Sequence, residues 1–248
     1  MLQAVDLTQA LSPADYEEQL PALQAELRTL ARQIYLKDRP VIVILEGWTA
    51  AGKGRVIRRL TQKLDPRGYS VYAISPPTTE ERSFHYQRRF WKQIPEAGRI
   101  AIFDGSWHRQ MVEACGDAAS EEDVCKRIYR EINQFERQQI DFGALISKFW
   151  IHLSPDEQRR RLEARLAQPA HQWKTVPAGQ PAENGDIQEN AINELILRTS
   201  TLGAPWTVVA GNCPRYTELH ILTVLADYWR EALALQPAKP KKKKKKKK

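Results

Sequence analysis

The segment Gly47-Trp48-Thr49-Ala50-Ala51-Gly52-Lys53-Gly54 places glycine, four variable residues, glycine and lysine in the order of a phosphate-binding loop, the GxxxxGK core of a Walker A motif. Glycines at these positions let the backbone fold until successive N–H groups face inward, where they cradle phosphate oxygens. The positive end of a following helix adds to that field, and Lys53 adds a full charge. Three fixed residues recur by chance, so context decides. Here the loop lies between an apolar run and a helical pattern, the setting the chemistry requires; a merely structural glycine turn is the plainer alternative. Gly54 stands where Ser or Thr usually supplies a Mg²⁺-binding hydroxyl, so any metal needs another ligand.

Ile100-Ala101-Ile102-Phe103-Asp104 offers one, an apolar strand that delivers a carboxylate to its C-terminal end. Ligands bind there in open α/β sheets. Asp104 is therefore a candidate for holding Mg²⁺ directly or through water, the alternative being a turn or helix-capping Asp. Arg159, Arg160, Arg161 and Arg165 precede a Pro-, Gly-, Gln- and Asn-rich stretch over 168–187, and Lys174 lies within it. Basic groups on a closing lid neutralise charge that develops during phosphoryl transfer. A solvated basic helix face is the simpler reading.

The elements that must position these residues are legible as alternating patterns. Ser12-Pro13 reads as an N-cap and first helical residue, and Leu20, Leu23, Leu27, Leu30 and Ile34 recur at helical spacing; Pro21 offers a second possible start. Val41 to Leu45 is a continuous β-branched run, a strand buried on both faces. A helix over 55–64, a strand over 70–74, a helix over 80–94, a strand over 100–103 and a helix over 120–142 follow. A strand within 145–153 leads to Ser154-Pro155-Asp156-Glu157, a capping box opening a helix to about 166. A helix over 187–198, a strand over 206–209 and a helix over 215–235 complete the pattern. Strands alternating with helices predict an α/β fold, a P-loop NTPase-like three-layer sandwich with a parallel sheet, helices on both faces and a lid insertion. Residues 1–39 form a helical extension, 40–236 the kinase-like domain with its lid at about 160–190, and 237–248 a disordered poly-lysine tail.

Composition excludes several classes. Hydrophobic residues at 42% and charged residues at 27% suit a packed core. No apolar run approaches the roughly 18 residues of a membrane span, and residues 1–6 lack a secretory layout, so a cytoplasmic protein away from membranes is expected. Lys239 and Lys241 to Lys248 supply nine charges, so the formal net charge of +8 becomes 8 − 9 = −1 without them. A near-neutral body gives no argument for specific nucleic-acid binding. The tail reads either as an electrostatic arm for a polyanion or as a solubilising appendage. Cys115, Cys125 and Cys213 form no CxxC pair, which predicts reduced thiols rather than a disulfide or zinc site.

With these motifs in place, the sequence resembles the polyphosphate kinase 2 family, nearest its polyphosphate:AMP phosphotransferase-like branch. The resemblance spans about 35–230. It rests on Glu46-Gly47, Ala50-Ala51-Gly52-Lys53-Gly54, Leu64-Asp65-Pro66-Arg67-Gly68-Tyr69 and His85-Tyr86 with Arg89-Phe90-Trp91. Phe103-Asp104 with Ser106-Trp107, Lys148-Phe149-Trp150-Ile151-His152, Trp173-Lys174, and Arg198-Thr199-Ser200-Thr201 with Ala204-Pro205-Trp206 extend it. Gly54 agrees with the family, which carries GKG. The resemblance implies Mg²⁺-assisted phosphoryl transfer between inorganic polyphosphate and AMP/ADP or GMP/GDP, by a homo-oligomer or a chain paired with an active homologue.

Carried over by position, Lys53 and Asp104 would be catalytic, with Asp104 on the metal. Gly47, Thr49, Gly52, Lys53, Gly54, Ser106 and Arg109 would bind phosphate or nucleotide, and Arg161, Arg165 and Lys174 would grip polyphosphate from the lid. The departures fall on charged positions. Thr49 replaces a family Asp, Gly105 an Arg, His108 a Tyr and Gln110 an Arg that neighbouring Arg109 could replace. Gly185-Asp186-Ile187-Gln188 departs from a Trp-Asp-x-Tyr-like lid stretch. Loss of one preorganised charge-stabilising group typically costs on the order of 10²–10³ in rate. Two expectations therefore stand together: a phosphotransferase of reduced activity, or an impaired binding or regulatory homologue. A different P-loop kinase, such as a nucleoside monophosphate kinase, fits the family-specific matches less well.

Overall fold

The computed structural model describes residues 1–109, 115, 122–167 and 185–234. Five strands, β1 (Val41–Gly47), β2 (Tyr69–Ala73), β3 (Ile100–Asp104), β4 (Leu145–His152) and β5 (Trp206–Ala210), form one parallel sheet in the order β2-β3-β1-β4-β5. β1 is central, and Val41 to Leu45 are fully buried. That explains the unbroken apolar run, since a parallel strand covered on both faces has no solvent side to alternate with. β2 is an edge strand and correspondingly exposed at Ser70 and Val71.

The strand alternation assigns the helices to two layers. Val41, Val43 and Leu45 pack with α1 (Pro13–Leu36), α2 (Lys53–Thr61) and α8 (Pro214–Ala232) through Leu27, Ile34, Val56, Leu60, Leu222 and Trp229. Ile42 and Ile44 face the opposite layer, built by α4 (Arg88–Trp91), α5 (Glu122–Asp141) and α7 (Gly185–Thr199) through Phe90, Ile132, Phe135, Ile192 and Leu195. The fold is therefore the expected three-layer α/β sandwich. The other α-helices with described bounds are α3 (Thr79–Arg82) and α6 (Pro155–Leu166). Among the described residues, no helix is long and apolar enough to cross a membrane.

Several local expectations need revision. α1 starts at the Ser12 cap, whose hydroxyl accepts from the Asp15 N–H at 3.1 Å, and it continues through Pro21. Pro21 is exposed, while Tyr16, Leu20 and Leu27 on either side are buried against the rest of the fold, so packing outweighs one lost backbone bond. The single helix expected over 80–94 is two short ones. The Ser83 hydroxyl donates to the Glu80 carbonyl at 2.7 Å, a local bond that competes with helix continuation. Cys115 and Cys125 are joined in a disulfide, against the expectation of reduced thiols, and Cys213 is the free cysteine. Spacing alone missed the pair because the fold, not a CxxC turn, brings their Cα atoms to 5.8 Å. The 168–184 part of the expected lid with Lys174, Gln110, and the lysine tail lie outside the described residues.

Candidate functional site

The C-terminal ends of β1, β3, β4 and β5 converge on the glycine loop. Gly47 closes β1 opposite Ile151 of β4, with φ 142°, and a Cβ there would sit 2.5 Å from the Ile151 carbonyl oxygen. Only glycine fits that crossing. Ala50 (φ 67°) and Gly52 (φ 100°) take left-handed conformations, after which α2 begins at Lys53. A Cβ on Gly54 would meet nothing within 4 Å, so a hydroxyl there is excluded by sequence and not by space.

Lys53 turns back over the loop, its Nζ donating to the Gly47 carbonyl at 3.0 Å and more weakly to that of Trp48 at 3.4 Å. Burial pushes its ammonium down from the ordinary value, while the Asp104 carboxylate pulls it up and Arg109 and Arg165 push it further down. Asp104 ends β3 in register with Leu45. Gly105 follows with φ 79°, its N–H donating to the Leu45 carbonyl at 3.0 Å. Ser106 is buried and its hydroxyl lies 2.7 Å from Glu46 Oε1. The sequence-predicted Gly47, Thr49, Gly52, Lys53, Gly54, Asp104, Ser106 and Arg109 thus gather at one end of the sheet.

Arg161 occupies a different place from a lid arm. Its Nε donates to Glu157 Oε1 at 2.7 Å, Nη1 to the Ala50 and Ala51 carbonyls at 3.3 Å each, and Nη2 to those of Gly211 and Asn212 at 2.8 and 3.0 Å. Gln158 Nε2 adds a bond to the Thr49 carbonyl at 3.2 Å. α6 therefore braces the back of the loop. Ser154 caps this helix by accepting from the Glu157 N–H, but the reciprocal half of the expected capping box is absent: the Glu157 carboxylate serves Arg160 and Arg161 instead, which hold its pKa down at about 2. On the far side, Trp48 Nε1 donates to His152 Nδ1 at 2.9 Å and its ring packs edge-on against Trp150.

Beside Ser106 opens a cleft of about 690 Å³ between the β2 end and α3–α4, lined by Arg82, Arg88, Arg89, Arg109, Phe84 and Tyr86. Arg109 Nη1 approaches the Ile74 carbonyl at 3.4 Å, and the Arg88 guanidinium lies over the Phe84 ring. Four guanidinium groups beside aromatic rings suit a phosphorylated aromatic ligand.

Behind the loop runs a buried polar chain that motif reasoning missed. Ser106 Oγ lies 2.9 Å from His108 Nδ1, His108 Nε2 lies 3.0 Å from Glu136 Oε1, and Glu136 Oε2 accepts from Lys148 Nζ at 2.6 Å. Lys148 also donates to the Thr199 carbonyl at 2.7 Å, and Trp107 Nε1 to Glu136 at 3.2 Å. Two signals pointed to it in the sequence: an acidic residue closing the apolar run of β1, and a lysine inside the apolar run of β4. A charge in such a run demands a buried partner.

Together, the parallel sheet, the loop after β1 and the carboxylate at the end of β3 define a P-loop, kinase-like α/β protein. The profile of the polyphosphate kinase 2 family matches residues 10–236, and the chain belongs to that family. It is 37% identical over 96% of its length to a polyphosphate:AMP phosphotransferase of Pseudomonas syringae pv. tomato, but spans only 48% of that relative. It is 34% identical to NDP-polyphosphate phosphotransferase 3 of Ruegeria pomeroyi, over 87% of this chain and 72% of that one. The crystal structure of polyphosphate kinase 2 from Arthrobacter aurescens TC1 superposes with a TM-score of 0.87 at 30% identity, covering 98% of this chain and 89% of the other. The chain thus spans about half the length of the Pseudomonas relatives it matches.

Proposed function

We propose that the protein binds polyphosphate and a nucleoside mono- or diphosphate at the Gly47–Gly54 loop and transfers phosphoryl groups between them with reduced activity. The observation that carries this reading is the convergence of Lys53, Asp104 and the arginine-lined cleft at one end of the sheet. Backbone N–H groups of the loop and Lys53 would hold phosphate oxygens, and Arg82, Arg88, Arg89 and Arg109 the nucleotide phosphates. Among the described residues no cluster of three or more His, Cys, Asp or Glu could hold a metal ion. That fits Mg²⁺, which commonly takes one or two carboxylates and completes its shell with phosphate and water. Asp104 would be the carboxylate, and the ion would neutralise charge on the transferring phosphate. Bracing by Arg161 and Gln158 keeps the loop in its binding shape, while Arg165, close enough to influence Lys53, remains a candidate for contact with the incoming chain.

A second reading, a catalytically impaired binding or regulatory homologue, is favoured by Thr49 and Gly105. Neither can supply the charge that the family pattern places there. The test is turnover with Mg²⁺, polyphosphate and AMP, ADP, GMP or GDP, in the wild type, Lys53→Ala and Thr49→Asp. Measurable turnover abolished by Lys53→Ala supports the enzyme. No turnover in the wild type, with activity appearing in Thr49→Asp, overturns it in favour of the binder.

A further inference from the structure

The buried chain behind the loop has hydrogen-bond directions that can be deduced from one end. Glu136 receives donors on both oxygens, from Lys148 Nζ and Trp107 Nε1, and so acts as a carboxylate. Desolvation works against that charge, but Lys148 and His108 outweigh it and hold the carboxyl below the ordinary value. His108 Nε2 is 3.0 Å from Glu136 Oε1 without the alignment of a hydrogen bond, but a bare nitrogen lone pair there would face the carboxylate, so Nε2 is the nitrogen that carries the proton. Burial holds the imidazole below its ordinary 6.5, which leaves it neutral and leaves Nδ1 as an acceptor. The one proton of Ser106 is then committed to His108 Nδ1 at 2.9 Å. Glu46 Oε1, 2.7 Å from the same hydroxyl oxygen, must therefore bring a proton of its own.

We propose that His108 is a positioning residue which, through Ser106, keeps Glu46 a neutral carboxylic acid at the root of the phosphate loop. The inference rests on the phosphate-binding reading above for its functional sense. A neutral Glu46 leaves the Lys53 ammonium uncompensated from that side, which favours an anionic ligand. Reversing the bonds transfers the Glu46 proton to Ser106 Oγ as the Ser106 proton passes to His108 Nδ1. The products are a Glu46 carboxylate and an imidazolium beside Glu136, with no proton gained or lost overall. The charged groups facing Glu46 are Lys53 from α2 and Arg109 beyond β3; those facing His108 are Glu136 of α5 and Lys148 of β4.

The test combines histidine nitrogen NMR, infrared detection of protonated carboxyl groups and calorimetric titration with tripolyphosphate, all at pH 7. The wild type should show the neutral Nε2–H tautomer at His108 and a carboxylic-acid carbonyl band that Glu46→Gln removes. In His108→Phe, the Ser106 hydroxyl is released to donate to Glu46, so the band should vanish and tripolyphosphate affinity should fall about tenfold. Glu46→Gln/His108→Phe should recover that affinity. An Nδ1–H tautomer in the wild type, or no band that depends on Glu46, overturns the proposal even if His108→Phe does not fold. The expected tautomer and band without tripolyphosphate binding in any variant would uphold the relay and overturn the phosphate reading instead.

Discussion

Replacing Arg161 by Met separates a brace from a lid arm. Arg161 makes one carboxylate contact and two short carbonyl bonds, to Gly211 and Asn212, plus two longer ones to Ala50 and Ala51. The side chain is 14% exposed, so these bonds are only partly screened. Glu157 is not orphaned by the change, because Arg160 keeps both its oxygens at 2.7 Å. The cost is therefore that of the carbonyls. Charge-assisted bonds contribute about 1.5–3 kcal/mol each at best, and water recovers part of that at a half-exposed loop, so a loss of about 2–3 kcal/mol is expected. At roughly 2–4 °C per kcal/mol for a domain of this size, the melting temperature should fall by about 4–12 °C without any ligand. Ala50, a non-glycine residue at φ 67°, should lose its hold first, so amide exchange should accelerate at Ala50, Ala51 and Gly52. The measurements are thermal unfolding and residue-resolved hydrogen exchange of the ligand-free protein. An unchanged melting temperature with lost polyphosphate affinity would refute the bracing argument and return Arg161 to the lid.

Other substitutions probe the frame. Gly47→Ala forces a Cβ to 2.5 Å from the Ile151 carbonyl, so strands β1 and β4 must part; soluble expression should collapse, whereas Gly54→Ala, with open space around it, should unfold within about 1 kcal/mol of the wild type in urea. Lys148→Met strips the buried Glu136 carboxylate of its ammonium and should cost about 3–5 kcal/mol, while Glu136→Leu/Lys148→Met should regain most of it in the same urea experiment. His108, His152 and His220 are all held below 6.5 by burial, so the unfolded chain takes up protons first as the pH falls; stability should decline below about pH 6.5 toward the folded values. Glu46, raised by burial, has the opposite slope above its ordinary 4.5, so Glu46→Gln should steepen the acid decline, as urea midpoints across pH would show.

The sheet and its order of helices were legible because β1, β3 and β4 are buried on both faces and carry unbroken apolar runs. The loop was legible because its glycines answer to local backbone needs: Gly47 to a crossing strand and Gly52 to a left-handed turn. What depends on distant partners was not. The basic run at 159–165 gave no sign that Arg161 turns back onto the loop, because its acceptors are carbonyls, which every sequence has. Ser106, His108, Glu136 and Lys148 come from three separate segments, and no spacing rule links them. Cys115 and Cys125 were misread for the same reason.

Two of the departures from the family pattern, Thr49 and Gly105, have a joint electrostatic consequence. Thr49 removes a negative charge from the loop and Gly105 a positive one from the end of β3, so these two changes offset each other in net charge. Attraction for a polyanion depends mainly on that net charge and on backbone N–H groups. Rate depends on where individual charges sit relative to the transferring phosphate. Binding and transfer should therefore separate here, and restoring the charges one at a time should not be additive. Thr49→Asp alone lowers the positive field and should weaken tripolyphosphate binding even as it supplies a metal-directed carboxylate. Gly105→Arg must place a side chain at φ 79°, where non-glycine residues are strained by about 1–2 kcal/mol. If Thr49→Asp/Gly105→Arg does not restore the affinity lost in Thr49→Asp, net charge does not govern binding at this loop.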